Sequence, residues 1–424
     1  MFHKKLQKLV KQYFDKHPDI RLVVVVGSVG KASVKRAIGT VLSTKYRVRM
    51  HDEVDPSPFS IPFTILGIAM PKKMGLFAGL KALSAARRVV KKEAVVDVIV
   101  QELPMNAKGS VAQYVEYLHP AITVITAISP VRLQLFPSVD ALAQEIMSIT
   151  AHAGLAIINR DDVEGRFAEL ITTPNITTYG SDVIAEYSVV MTDSQQAFDT
   201  KIQIGAPEWQ APIETTTALV GEHSIRALAA STAVASQLGM TEQEIATAIP
   251  QVQAMPGRMN PLRGIQGTVI LDDSKSSSPA DAASALQTLY SFSDAPQRIA
   301  ILGDMDHLHE RSAEYHGHIG ALCNPDFLAW VVVVGEQSSG NLATVAKQRG
   351  CQVKVCRDAI EAGAFVRSIT EDGAIILVKG SRISHLEETV KILCNMSEDH
   401  QLVRQSPEDM RMKDDLFSRF SDAK

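Results

Sequence analysis

The sequence predicts an α/β protein, in which a central domain of phosphate-loop type with a mostly parallel sheet precedes a smaller, Rossmann-like α/β domain. Short β-branched runs without polar alternation recur along the chain, as in strands buried on both faces. Stretches with helical periodicity separate these runs. A turn with two glycines and a lysine joins the first run to the helix that follows it. Strands that alternate with helices in this way build βαβ units and parallel sheets.

Length and composition exclude several classes of protein. The 424 residues suggest two or three domains, at roughly 150 residues each. With 46% apolar and 21% charged residues, the chain is not disordered, collagen-like or a coiled coil. A net charge of −4 predicts no nucleic-acid partner. The four cysteines lack zinc-ligand spacing, and no apolar run approaches the ~20 residues of a membrane span, so we expect a reduced, cytoplasmic protein.

The first half of the chain divides into an N-terminal segment and the central domain. Apolar and charged residues at helical spacing predict an amphipathic helix over 1–20. The central domain is predicted to span 21–254, and a Thr-rich alternating stretch around 185–220 predicts a small antiparallel patch within it. Its predicted strands are 21–26, 94–100, 122–126 and 155–158, and its predicted helices are 34–42, 111–118, 139–149 and 224–238.

A second α/β domain is predicted over 255–398. The boundary lies at Met255-Pro256-Gly257-Arg258, after which the alternation of strands and helices restarts. Its predicted strands are 268–271, 298–302, 330–334 and 374–378. The charged tail 399–424 is predicted to be a frayed helix or disordered.

The turn after the first strand is the most informative local motif. Its glycines allow backbone N–H groups to point at a phosphate, and the helix N-terminus and Lys31 add positive charge. It departs from the full phosphate-loop pattern at two positions. The pattern has glycine at position 25 and a metal-binding hydroxyl at position 32, where this chain has Val25 and Ala32. The alternative is a strand–helix turn with a solvated lysine. The candidate phosphate-binding residues are Gly27, Ser28, Val29, Gly30, Lys31, Ala32 and Ser33.

Further motifs follow the loop in a fixed order between about residues 20 and 395. They are Gln101-Glu102-Leu103, His119–Thr126 with Ser129-Pro130, Gly154–Asp162, Gly221-Glu222-His223, Pro256-Gly257-Arg258, Asp272-Asp273-Ser274, Gly303-Asp304-Met305 and Val378-Lys379-Gly380-Ser381-Arg382. Together with the loop, this order resembles the Mur ligase family, and within it the branch that adds D-alanyl-D-alanine. The family's N-terminal domain, which holds the UDP-sugar substrate, has no expected counterpart, since only the 1–20 helix precedes the first strand.

The resemblance implies an ATP-dependent ligase that forms an amide bond through an acyl phosphate, on a peptidoglycan-type precursor. The implied cofactors are ATP and Mg²⁺, and the implied partners are a small-molecule or UDP-linked precursor and an amino acid or dipeptide. It assigns phosphate binding to Lys31, Mg²⁺ binding to Ser33 and Glu102, and charge neutralisation to Arg132. No oligomeric state is predicted beyond a monomer as one option. The other implied contacts to the nucleotide or the incoming amine are His223, Arg258, Asp273, Lys379, Ser381 and Arg382.

Several positions depart from the family pattern. Arg132 replaces a metal-binding His, Ile146 replaces a carbamoylated Lys, and Lys275 replaces a Tyr near adenine; Ala32, Ser224 and Arg226 replace further polar contacts. These departures motivate an alternative function, a catalytically degenerate relative with weak or no nucleotide binding and a regulatory or partner role. A third option, a folylpolyglutamate-synthase-type ligase, is disfavoured by Gly303-Asp304-Met305.

A basic stripe lies within residues 76–92. We interpret it as a solvated helix face, and the alternative is a role in holding an anionic precursor. Its members are Lys81, Arg87, Arg88, Lys91 and Lys92.

Overall fold

A computed structural model describes residues 2–51, 59–71, 75–105, 108–129, 135–193, 196–306, 308–395, 399 and 403. The chain folds into two compact units. The first takes the residues up to Thr192, then Lys201–Thr217 and Glu222–Val252, and the second takes Asp193–Thr200, Ala218–Gly221 and the chain from Gln253 onward. Arg132 and nearly all of the tail 399–424 lie outside the described residues.

The first unit holds eight helices and nine strands among the described residues. The helices are α1 (Phe2–Lys16), α2 (Lys31–Ser43), α3 (Ser60–Leu66), α4 (Leu76–Lys91), α5 (Ser110–Val115), α6 (Val139–Met147), α7 (Glu222–Gln237) and α8 (Glu242–Ala248). The strands are β1 (Arg21–Val26), β2 (Val48–Arg49), β3 (Val98–Glu102), β4 (Ile122–Ile125), β5 (Leu155–Asn159), β6 (Ile176–Gly180), β7 (Tyr187–Met191), β8 (Thr200–Gly205) and β9 (Ile213–Thr217).

These strands form one sheet in the order β2-β3-β1-β4-β5-β6-β7-β8-β9. Strands β1 to β7 pair in parallel, and β8 pairs with β7 in the antiparallel sense. From Leu22 to Val26, β1 is buried throughout, since helices cover both faces of the sheet. Leu22, Val24 and Val26 join the core that includes α1 and α4, while the alternate residues Val23 and Val25 point to the opposite face.

The second unit has its own six-stranded sheet, in the order β10-β11-β15-β12-β13-β14. Its pairs are parallel except for β10 with β11. Its strands are β10 (Asn260–Arg263), β11 (Val269–Asp273), β12 (Arg298–Gly303), β13 (Trp330–Val334), β14 (Val353–Cys356) and β15 (Ile375–Lys379). Its helices are α9 (Pro279–Tyr290), α10 (Ser312–Leu322), α11 (Ala343–Gln348), α12 (Ala359–Ile369) and α13 (Glu387–Leu393).

This architecture confirms the predicted fold class, including the small antiparallel patch near residue 200. The predicted strand 94–100 overlaps β3 but begins four residues too early and ends two residues too soon, because β3 runs from Val98 to Glu102. Asp97, just before it, is instead held by Arg47 through a 2.6 Å ion pair. The strands β2, β6, β10 and β14 were not predicted. Within the described parts of the chain, no helix has the length and apolar character needed to cross a bilayer.

Candidate functional site

The phosphate loop lies at the carboxyl edge of the first sheet. It follows β1, whose neighbours β3 and β4 flank it on either side. The chain passes from β3 to β4 across β1, so the loop sits where the order of the strands reverses. Open α/β sheets bind ligands at such switch points, beyond the carboxyl ends of the strands. The ends of β1, β3 and β4 therefore meet at the place where the sequence predicted a phosphate site.

Gly27 allows the loop to pass close to β4. Its φ is +145°, and a Cβ atom there would lie 2.1 Å from Oγ1 of Thr126. That hydroxyl donates to the carbonyl of Val29 at 2.5 Å, and Ser28 N–H donates to the carbonyl of Ala127 at 2.9 Å. Ser129 N–H donates to Oγ of Ser28 at 3.0 Å. The end of β4 thus fixes the loop on one side, and glycine is required by space and backbone conformation together.

Lys31 is the first residue of α2, and its ammonium group folds back over the loop. Nζ donates to the carbonyl of Gly27 at 2.6 Å. Gly30, with a φ of 80°, precedes α2 in the left-handed conformation, and no side chain caps this helix. The first N–H groups of a helix have no intrahelical acceptor, so together with Lys31 they suit an anion. Ala32 follows Lys31 and offers no hydroxyl.

Glu102 ends β3 and faces a second lysine of α2. Its Oε2 lies 3.1 Å from Nζ of Lys35, and the two side chains are 13% and 3% exposed. Lys35 is four residues after Lys31, so both lysines leave α2 on the same side. The sequence analysis missed Lys35, although the i, i+4 spacing from Lys31 could have revealed it. Two lysines of α2 therefore lie next to the phosphate loop: Lys31 contacts the loop itself, and Lys35 is paired with Glu102.

The donor set at Glu102 can be compared with what Mg²⁺ requires. Oε2 of Glu102 is buried and lies in an ion pair with Lys35 at 3.1 Å, so a metal cation would share this carboxylate with the lysine. In the described ranges, no three His, Cys, Asp or Glu side chains cluster as a metal cage. Mg²⁺ at phosphoryl-transfer sites takes one or two carboxylates and completes its shell with phosphates and water. The residues therefore fit a cation shared with a nucleotide, and they do not fit an all-protein metal site.

Helix α6, where the resemblance places a carbamoylated lysine, has Ile146 at that position. Ile146 is fully buried in the core of the first unit. The neighbouring Glu145 accepts the N–H groups of Gly109 and Val111, each at 2.8 Å, and so holds the start of α5. Ser33 lies in the first turn of α2, about 200° around the helix from Lys35. The geometry gives Ser33 no support beside Glu102, and its metal role stays a prediction.

Arg226 joins a cluster of four carboxylates in the first unit. The acidic partners are Asp161 and Asp162 after β5, Asp182 after β6, and Glu222 in the first turn of α7, at 2.7–3.1 Å. Burial opposes the charge of Arg226, but these carboxylates outweigh it and raise the pKa of the guanidinium. The sequence showed Arg226 only as a departure from the family pattern. In the structure it ties two strand ends to a helix.

Asp272 and Asp273 organise the turn before β10 in the second unit. Asp272 is fully buried and accepts N–H groups from Gly257 and Ser274. Burial raises the pKa of its carboxyl group to about 6. Asp273 accepts the N–H of Met259 at 3.2 Å, and its Oδ2 lies 2.8 Å from Nζ of Lys379.

Lys379 is 2% exposed and also donates to the carbonyl of Ser276 at 2.7 Å. The strands β11 and β15 place Asp273 and Lys379 side by side in register. The structure thus brings together two of the predicted site residues, with Arg258 in the adjoining turn.

The remaining predicted site residues differ in their surroundings. Nε of Arg258 is buried and has no hydrogen-bond partner, and the same holds for Oγ of fully buried Ser381. Arg382 and His223 are exposed. Arg132 lies outside the described residues, so its predicted role is not addressed by this geometry. His316 is fully buried and accepts the Met305 N–H at 3.0 Å, which is a structural role.

Comparisons with known proteins agree with this geometry. Residues 25–235 match the model of the Mur ligase middle domain, and residues 257–382 match the Mur ligase, glutamate ligase domain. The UDP-N-acetylmuramoyl-tripeptide–D-alanyl-D-alanine ligase of Bacillus subtilis is 26% identical over 397 residues, covering 92% of this chain and 79% of that protein.

Two solved structures show the same fold. A crystal structure of MurF from Acinetobacter baumannii has a TM-score of 0.73 and 20% identity, over 91% of this chain and 79% of that one. MurF from Thermotoga maritima, in complex with ADP, has a TM-score of 0.68 and 19% identity, over 92% of this chain and 83% of that one. The two family models match successive parts of the chain and together cover most of it. Each match falls on the strands of one of the two observed sheets. The chain therefore belongs to the Mur ligase family.

Proposed function

We propose that this chain is an ATP-dependent ligase that joins a carboxylate to an amine on a UDP-linked, peptidoglycan-type precursor. One observation carries the proposal: the Gly27–Lys31 loop lies at the switch point of the parallel sheet in a chain of this family. Neither the described geometry nor the comparisons favour the degenerate alternative. A cytoplasmic location, expected from the cysteine spacing and the short apolar runs of the sequence, is part of the proposal.

The proposed reaction has two balanced steps. A carboxylate oxygen of the precursor attacks the γ-phosphorus of ATP, and ADP leaves, which gives an acyl phosphate. The nitrogen of the incoming amine then attacks the carbonyl carbon, phosphate leaves, and the nitrogen loses a proton. Catalysis of phosphoryl transfer rests mainly on positioning and on neutralising charge. A loop of backbone N–H groups with the Lys31 ammonium beside it is suited to both tasks.

Each residue of the first unit has a proposed part in binding. The loop N–H groups and the Lys31 ammonium hold the phosphates, for which Lys31 exchanges its bond to the Gly27 carbonyl. Glu102 would hold Mg²⁺, and Ser33 is the second proposed ligand. When bound, Mg²⁺ supplies further neutralisation of phosphate charge. Lys35 holds the Glu102 carboxylate in place, since the two groups lie 3.1 Å apart.

The second unit supplies the other proposed contacts, to the nucleotide or to the incoming amine. Arg258 and Ser381 each have a buried polar atom without a partner, which supports a ligand contact. Asp273 and Lys379 neutralise each other at 2.8 Å and hold the turn that carries Arg258. The proposed set is His223, Arg258, Asp273, Lys379, Ser381 and Arg382.

The experiment that tests the proposal is calorimetric titration of the full chain with a non-hydrolysable ATP analogue and Mg²⁺. We expect micromolar-range binding, which is about −8 kcal/mol. Lys31→Ala should weaken it at least about tenfold, since a charge-assisted phosphate contact is lost. The control is Lys347→Ala, which removes an exposed lysine of α11 in the second unit and should leave the affinity unchanged.

A flat titration of folded protein would overturn the enzyme proposal and favour the regulatory alternative. If the nucleotide binds, phosphate release is measured with UDP-N-acetylmuramoyl-tripeptide and D-alanyl-D-alanine, the substrates in the name of the Bacillus subtilis relative. Arg132→Ala is included in the same assays. Unchanged binding and turnover in that variant would remove Arg132 from the proposed charge-neutralising set.

A further inference from the structure

We propose that the outward faces of α1 and α4 dock the protein on an anionic lipid bilayer. This surface, the α1–α4 face, comprises the exposed basic residues of both helices and three exposed apolar residues of α4. It plays no part in the proposed ligase chemistry. Its basic members are Lys4, Lys5, Lys8, Lys11, Lys16, Lys81, Arg87, Arg88 and Lys91.

The two helices lie side by side and run in the same direction. At one end, the ring of Phe2 in α1 approaches Gly79 of α4 so closely that a Cβ there would lie 2.9 Å from it. At the other end, Nζ of Lys16 donates to the carbonyl of Lys91 at 2.8 Å. Both helices bury their other faces in the same core, through residues such as Leu6 and Leu83. Their exposed faces therefore look outward from the same side of the unit.

Each helix separates its charged and buried residues sharply. At about 100° per residue, the five lysines of α1 fall within an arc of about 140°, and its buried residues fall on the opposite arc. The exposed basic and apolar residues of α4 also fall within about 140°. The two faces therefore form one continuous basic surface.

The charge of this surface contrasts with that of the rest of the chain. The two helices carry nine basic residues and one acid, Asp15, a net charge of +8. Since the whole chain carries −4, the remainder carries −12. Among the described residues, none of the nine basic side chains forms a salt bridge. So concentrated and uncompensated a charge is complementary to an anionic surface.

The apolar residues of α4 indicate a bilayer rather than another polyanion. Leu76, Phe77 and Leu80 are 66%, 86% and 54% exposed in the first turns of the helix. Exposed Phe and Leu beside Lys and Arg are typical of helices that lie in the membrane interface, where apolar side chains enter the acyl region. Seven of the nine basic residues are lysines, which are depleted in protein–protein interfaces.

The test is sedimentation of the full chain with vesicles of phosphatidylcholine alone or with about 30% phosphatidylglycerol. We expect the anionic lipid to raise the bound fraction about tenfold in about 0.1 M salt, and about 0.5 M salt to reverse the effect. Arg87→Glu with Arg88→Glu should abolish most of the binding. Phe77→Ser should weaken it several-fold while leaving its salt dependence unchanged.

The matched control is Lys347→Glu with Arg349→Glu, which makes the same change in net charge at exposed residues of the second unit. Equal losses in the two double variants would overturn the proposal, as would binding that ignores the lipid charge. Two further outcomes would also overturn it: capture by heparin without capture by anionic vesicles, or release from vesicles by UDP at constant ionic strength. The last of these would identify the surface as a site for an anionic precursor.

Discussion

At the scale of single residues, the pair of Lys35 and Glu102 tests how the phosphate loop is supported. Both side chains are nearly buried, at 3% and 13% exposure, so neither charge can be solvated if the other is removed. Breaking such a pair costs roughly 3–5 kcal/mol, whereas replacing both partners costs much less. The pair is therefore expected to show strong coupling.

We expect Lys35→Met to lower the free energy of unfolding by about 3 kcal/mol, and Lys35→Met with Glu102→Gln to lose about 2 kcal/mol less than the sum of the single changes. Urea unfolding measures all three variants. Lys45→Met is the control, because Lys45 forms its 2.8 Å ion pair with Glu244 at the surface, and the loss should stay below about 1 kcal/mol. Additive single effects would contradict the coupling.

Asp272 predicts a pH dependence with a definite sign. Burial raises the pKa of its carboxyl group from 3.8 to about 6, although hydrogen bonds from Ser274 partly oppose this. Between about pH 4 and pH 6, the Asp272 carboxyl group therefore keeps its proton in the folded protein but has lost it in the unfolded chain. The resulting stabilisation is complete below about pH 4 and is lost as the pH rises through about 6.

We expect this group to lower the free energy of unfolding by up to about 3 kcal/mol between pH 4 and pH 7. Asp272→Asn cannot titrate, so its stability should decline less than that of the unaltered protein over this range. Urea unfolding at both pH values measures the difference. Asp294→Asn, at an exposed position, serves as the control and should keep the decline. Equal pH profiles for all three proteins would contradict the assignment.

At the scale of elements, Arg226 of α7 forms ion pairs with carboxylates at the end of β5 and in the turn after β6, and so connects these three elements. Asp161 is 2% exposed and would be left beside three other carboxylates without this guanidinium. A lysine has one point charge and cannot reach four carboxylates in fixed directions. The connection between these elements therefore depends on an arginine.

We expect Arg226→Ala to lower the free energy of unfolding by about 3 kcal/mol and Arg226→Lys to lower it by roughly half as much. Arg166→Ala is the control, because Arg166 is 51% exposed and pairs with Glu164 at the surface. It should cost less than about 1 kcal/mol. If Arg226→Lys has the same free energy of unfolding as the unaltered protein, by thermal and by urea unfolding, then the planar guanidinium with its several N–H donors is not needed here.

Elements with uniform burial were predictable from the sequence, and short edge elements were not. The valine run of β1 was predicted with its observed bounds, because only a strand covered on both faces tolerates such a run. In contrast, β2 has two residues and β14 is only partly buried, so neither has the run of apolar residues that predicts a strand.

The same contrast holds within the candidate site. The glycine loop was predictable from local backbone demands, whereas the partners of Lys35 and Arg226 depend on strands far away in the sequence. A lysine four residues into a helix is typical of a solvated face, and only the tertiary contact with Glu102 shows that it is buried.

At the scale of the whole molecule, the two units have separate sheets and separate cores. The two tryptophans of the chain divide between them, with Trp209 in the first unit and Trp330 in the second. Trp209→Phe therefore leaves a fluorescent probe only in the second unit, and Trp330→Phe leaves one only in the first. Each unit can be monitored alone in the intact chain.

We expect Val24→Ala to destabilise the transition that Trp209 reports by about 2 kcal/mol and to leave the Trp330 transition nearly unchanged. Val24 is fully buried in the middle of β1, so the change opens a cavity in the first core only. Val332→Ala, at the matching position of β13, is the control and should show the opposite pattern. Urea unfolding followed by fluorescence measures both. Equal shifts of the two probes in either variant would show that the units unfold as one cooperative body, since two independent cores predict separate responses.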